Sequence, residues 1–187
     1  MSTFGTAVVI DVAPGGDLSE IAAVLTAREA FPMAEQLDSG WTRVNAGLRD
    51  IEQLDLIERI AVSAGTCRVA VAQDNDEYGA LWVVLAVDDG AVRTVHRRYI
   101  LNADPYRRRE VRRALRDFEG KDPRAEDVAG PEAAAAAADL FGVDRHRMLE
   151  AELDSVWAYQ KIGVVAGPFP WWDALGLPWN DAGEPLR

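Results

Sequence analysis

Cysteine occurs once in these 187 residues, histidine twice, lysine twice and methionine three times. With Cys67 alone, no intramolecular disulfide can form. Its place in the apolar run Cys67–Ala72 marks it as a buried free thiol, suited to a reducing cytosol. Paired cysteines and a His-Glu-x-x-His pattern are both missing, so no ordinary zinc site is legible. A glycine-rich dinucleotide fingerprint, a P-loop and a Gly-x-Ser-x-Gly elbow are missing too, so the reading names no cofactor and no catalytic residue. The chain has no apolar run near the roughly 18 residues that a membrane-spanning helix needs. Residues 1–12 lack a basic leader and a small-residue cleavage site, and read as a strand. The expectation is a cytoplasmic protein without a membrane partner.

Apolar residues make up 49% of the chain, enough for a packed core. Length fits one domain over residues 1–187, with an alternative division near 120–130. The net charge of −11 is unevenly spread: residues 1–92 carry −10, residues 93–124 carry +6 and residues 125–187 carry −7. Net negative charge disfavours non-specific attachment to nucleic acid and to anionic membrane. It favours a basic protein partner, or simply solubility.

Phe4–Val12 is apolar and β-branched and stops at Pro14-Gly15-Gly16, as a strand and turn do. Asp17 and Glu20 resemble a capping box for a helix that ends near Phe31-Pro32. Trp41–Val44 reads as a short strand with one wet face. Residues 47–64 carry an apolar stripe at helical spacing, closed by Gly65. Three strand-like runs follow, Thr66–Gln73, Tyr78–Asp88 and Ala91–Leu101, and Asp89-Gly90 is a hairpin signal. Helices are expected from Asp104-Pro105 to about Phe118, from Pro131 to Phe141, and from Arg145 to Leu153. The tail from Gly163 is rich in Gly, Pro and Trp, with one short turn expected at Trp172–Leu175. The class is α+β, a mostly antiparallel sheet with helices on one face and an irregular C-terminal tail.

Four groups of residues bear on function. Asp74, Asp76 and Glu77 form an acidic turn that would enter a basic groove on a partner, would suit a hard cation, or is a solvated hairpin tip. Arg109, Arg112, Arg113 and Arg116 share one face of the Arg107–Arg116 segment. That face would grip phosphate, or pair with the protein's own carboxylates. Trp41, Trp171 and Trp172 are interface-anchoring residue types, and the late tryptophans serve equally to pin the tail onto the core, the use favoured here. Cys67 and His96 would make a nucleophile pair if one sheet carried both; the plainer reading is a buried thiol and a paired imidazole.

Leu48–Val84, LRDIEQLDLIERIAVSAGTCRVAVAQDNDEYGALWVV, runs helix, glycine, strand, acidic turn, strand. This fifth of the chain resembles small actinobacterial proteins of the polymorphic-toxin immunity type. The 18 arginines against 2 lysines fit a GC-rich genome of that kind. The resemblance implies no catalytic residue and a blocking role, in which acidic loops occlude a basic toxin domain. The expected function is therefore a non-enzymatic, immunity- or antitoxin-like binding protein, with Asp74, Asp76, Glu77 and Trp41, then Trp171 and Trp172, as contacts. The alternative is a regulator that binds nucleic acid or an anionic ligand through the Arg107–Arg116 helix.

Overall fold

The computed structural model describes residues 4–28, 30, 32–48, 54–75, 79–101, 123–162 and 169–178. It is a mixed α+β fold built on a six-stranded antiparallel sheet. The strands are β1 (Phe4–Val12), β2 (Met33–Gln36), β3 (Thr42–Leu48), β4 (Cys67–Asn75), β5 (Gly79–Asp88) and β6 (Ala91–Leu101). Their order across the sheet is β2-β3-β1-β4-β5-β6. The helices are α1 (Ser19–Ala27), α2 (Leu54–Ala64), α3 (Pro131–Phe141), α4 (Arg145–Ile162) and α5 (Phe169–Ala174).

Strand β1 pairs antiparallel with both β3 and β4, so it lies inside the β3-α2-β4 crossover. Its central position explains why FGTAVVIDV is apolar almost throughout: both faces are covered. Val8, Ile10 and Val12 point to one side, with Val44, Ala46, Leu48, Val69, Val71, Val83 and Leu85. There they pack against Ile21 and Leu25 of α1 and against Ile57, Ile60 and Ala61 of α2. Each fully buried Ile or Leu contributes about 1.5–3 kcal/mol. Ala7, Val9, Ala70, Ala72, Ala80 and Trp82 point to the other side and meet α3, α4 and α5. Small residues on this face match the alanines of α3, of which Ala134, Ala137 and Ala138 are wholly buried. Methyl against methyl lets the helix axis come close to the sheet.

The helices therefore cover both faces rather than one. The expectation of a single covered face followed from the order of strands and helices along the chain, and Trp41–Val44 reads as half wet. Its inward Arg43 looked like a solvent residue, but it is paired to a buried carboxylate. The stripe at 47–64 also divides differently: Gly47 and Leu48 finish β3, and the described part of the helix starts at Leu54. A strand paired to β1 outcompetes helical propensity at those two residues. Strand β2, which has no β-branched residue, is joined to β3 by a tight turn at Leu37–Gly40. Helix α1 stops at Ala27, and Asp17 Oδ1 accepts from Ser19 N at its start (2.8 Å). Helix α4 continues to Ile162, well past Leu153. A short 3-10 turn, Pro123–Glu126, precedes a single bridge between Val128 and Arg97 on β6.

Strand β6 carries a bulge that decides which of its side chains point where. Thr94 stands opposite Leu85, yet His96 stands opposite Val84. The extra residue, Val95, reverses the alternation. His96 and Arg98 are thereby turned onto the face covered by α3–α5.

Candidate functional site

Two polar centres lie on the α3–α5 face. The first surrounds Glu152 of α4, a carboxylate in the protein interior. Its Oε2 accepts from His96 Nε2 at 3.1 Å and from Trp171 Nε1 at 2.8 Å. Its Oε1 accepts from Gly130 N at 2.7 Å and from Arg98 Nη2. The four donors come from β6, from α5 and from the residue that caps α3. The imidazole of His96 stacks on the indole of Trp171, centroids 3.8 Å apart and planes tilted by 35°. His96 is wholly enclosed. Its Nδ1, together with Arg98 Nε and Trp82 Nε1, has no hydrogen-bond partner among the described residues.

Burial alone would raise the Glu152 pKa, but the bonds from His96, the Arg98 charge and the Gly130 N–H outweigh it and take the carboxyl down to about 2. Burial lowers the His96 pKa, and the pull of Glu152 does not offset it. At neutral pH the pair is thus a carboxylate and a neutral imidazole that donates through Nε2. Four donors saturate Glu152 as an acceptor, so it has no spare lone pair for an incoming ligand.

The second centre is a row across three adjacent strands. Arg43 on β3 and Arg68 on β4 flank Asp11 on β1 in register. Arg43 grips Asp11 through Nε (2.7 Å) and Nη2 (2.9 Å), and Arg68 Nε adds a third bond at 2.9 Å. Arg68 Nη1 also donates to Leu140 O at the end of α3 (2.7 Å), a carbonyl the helix leaves open. The Arg68 guanidinium lies between the rings of Trp41 (4.9 Å) and Phe141 (4.7 Å). The hydrogen bond from Arg43 to Asp11 outweighs the cost of burial and raises the Arg43 pKa further above its usual value.

Cys67 and His96 are not a pair. Cys67 faces α2, its thiol against Ala61 O (3.4 Å), whereas His96 faces α4 across the sheet. Burial, helped by the Asp11 charge, pushes the thiol up to about 12, so almost no thiolate forms at neutral pH. His146 is exposed on α4 beside Glu150, one turn along the same helix.

Trp171 and Trp172 are both interior, Trp171 on Glu152 and Trp172 donating to Pro178 O (2.8 Å). This part of the tail is pinned to the core, the use the sequence favours over the interface role. Trp41 is half-buried beside Arg68. Asp74 takes part in β4 through its backbone, opposite Gly5 and Ala80. Asp76 and Glu77 lie outside the described residues, as do Arg109, Arg112, Arg113, Arg116 and the expected helix over 104–118. No group of three or more His, Cys, Asp or Glu side chains placed to hold a metal ion occurs among the described residues.

Asp11, Arg43, Arg68, Arg98 and Glu152 were not singled out from the sequence. Asp11 had a signal: a charge inside the apolar run AVVIDV must find a buried partner. Glu152 had none, because acidic residues are ordinary on helix surfaces.

Comparison of the chain with family models, with curated proteins and with solved structures gives no match.

Proposed function

We propose that this chain is a non-enzymatic binding protein of the immunity type, which neutralises a basic toxin domain by covering it. One observation carries the reading: among the described residues, Cys67 and His96, the two side chains that would have made a nucleophile pair, are committed inside the fold. His96 is bonded to Glu152 and enclosed, and Cys67 is held as a thiol on the opposite face. Carboxylates at Asp17, Glu20, Glu35, Asp38, Asp88 and Asp89 are exposed on the exterior of a protein of net charge −11. An anionic exterior speeds encounter with a cationic partner and rejects nucleic acid. Asp74, Asp76 and Glu77 are the proposed first contacts, with Trp41 beside Arg68 as an aromatic contact.

The test is direct mixing with a basic C-terminal toxin domain, where the neighbouring gene encodes one. Growth rescue on co-expression and a stable complex are expected. Charge reversal in D74K/D76K should slow association by about tenfold or more at low salt and flatten its salt dependence. Unchanged association kinetics in that variant, or failure to rescue growth, would count against the proposal.

A further inference from the structure

We propose that α3, α4 and α5 form an acid-released layer, latched to the sheet by Glu152 and His96, which lifts from β6 as a unit while α1, α2 and the sheet stay folded.

The layer packs on the sheet through an apolar cluster that includes Val95 of β6, and polar bonds tie it to β6 besides. Glu152 gathers His96 and Arg98 from β6, Gly130 from the start of α3, and Trp171 from α5. Arg97 and Val128 exchange two backbone bonds (2.7 and 2.9 Å), and Tyr99 N donates to Asp127 Oδ1 at 2.9 Å. The apolar side chains that α1 and α2 bury against the opposite face belong to a different cluster. Losing the α3–α5 layer therefore leaves that second core in place.

His96 is the trigger because of where an added proton must go. Its Nε2 already donates to Glu152, so the proton goes to Nδ1, which has no acceptor among the described residues. The charged groups that face it are Glu152 from α4, Arg98 from its own strand and Asp127 from the segment before α3. Among the described residues, α3 and α5 meet it with alanines and tryptophans, and β5 with Val84 and Trp82. Glu152 is already matched by Arg98, and Asp127 lies beside Arg97 (3.6 Å). A proton on His96 thus adds an unpaired charge and an orphan donor inside a closed site.

The closed form refuses the proton and the open form accepts it at the ordinary imidazole value, 6.5. His96 therefore contributes stability above pH 6.5 that is lost as pH falls from there toward its lower, closed-state value. Glu152 adds a further loss between 4.5 and about 2. One proton taken up on opening raises the opening equilibrium about fivefold between pH 6.5 and 5.5, and approaches about tenfold per pH unit only further below, until the closed form also takes the proton.

Hydrogen–deuterium exchange of the full chain at pH 7.5, 6.5 and 5.5, corrected for intrinsic rates, reads this directly. Peptides of α3–α5 are expected to lose about fivefold in protection between pH 6.5 and 5.5, while α1, α2, β1 and β4 keep theirs. In His96→Gln, whose amide still donates to Glu152, the α3–α5 response should vanish; in His146→Gln it should persist. Loss of protection in all elements together, no loss by pH 5.5, or an unchanged response in His96→Gln overturns the proposal. Should His96→Gln fail to fold, the ring proton of His96 in the wild-type protein decides by NMR. A titration midpoint below 6.5, at the lower end of the pH range over which protection falls, supports the latch, and one at or above 6.5 refutes it.

Discussion

Replacing Asp11 by alanine removes the anion from between two guanidinium groups. Asp11 is wholly buried, and Arg43 and Arg68 are only 11% and 13% exposed. Three charge-assisted bonds disappear, each of about 1.5–3 kcal/mol when measured singly. The sum overstates the loss, because Arg68 keeps its bond to Leu140 O and its place between Trp41 and Phe141. Removing one member of a buried ion pair costs about 3–5 kcal/mol, mostly because the partner is left charged and dry. Against a total stability of about 5–15 kcal/mol, that is a large fraction. At roughly 2–4 °C per kcal/mol for a chain of this size, thermal unfolding should fall by about 6–20 °C. Urea unfolding should show a lower midpoint with an unchanged slope. The triple variant D11L/R43M/R68M, which removes all three charges, should recover much of the loss. A cost below about 1 kcal/mol for D11A, or a triple variant no better than D11A, would refute the argument that the unpaired charge is what matters.

Two further outcomes test the packing. Cys67, held as a thiol near pKa 12 behind α2, should resist iodoacetamide at pH 7.5 in the native protein and react fully in about 6 M guanidinium, followed by mass spectrometry. Gly16→Ala should destabilise by about 1–3 kcal/mol in urea unfolding. A Cβ there would come within 2.3 Å of Val12 Cγ1 and 2.7 Å of Ala64 O, so the turn after β1 would be pushed off the end of α2.

The parts of the fold that could be read from the sequence are those where local pattern and tertiary environment agree. The β4-β5-β6 meander was legible because Asp89-Gly90 and the apolar, β-branched runs on either side of it point the same way. Helix α3 was legible from Pro131 at its start and Gly142, in the left-handed conformation, at its end. Residues 47 and 48 were misread because their apolar spacing fits a helix as well as a strand, and only pairing with β1 decides between them. The pairing of Cys67 with His96 fails for a different reason. Plain alternation along β6 would place His96 on the side of Thr94, toward α2 and the thiol. The single extra residue at Val95 turns it to the opposite face, and nothing in the string VRTVHRRY announces that insertion.

The two faces of the sheet are assembled by different physics. The face under α1 and α2 is filled by Val, Ile and Leu, with Thr6, Ala46 and Cys67 as buried exceptions. The face under α3–α5 carries Asp11, Arg43, Arg68, His96 and Arg98 among alanines, Val9, Val84 and Trp82, and receives Glu152 from above. Apolar burial tolerates many arrangements of similar volume, whereas a saturated carboxylate or a bidentate guanidinium tolerates few. Buried ions add little net stability compared with apolar residues of the same shape, so their presence on one face is better explained by the geometry they impose. Arg68 ties the end of α3 to three strands, and Glu152 ties α4 and α5 to β6. The α3–α5 layer is therefore held on the sheet by apolar burial and fixed in position by bonds that respond to protons and to single charge changes. The α1–α2 layer is held by contacts that respond to neither.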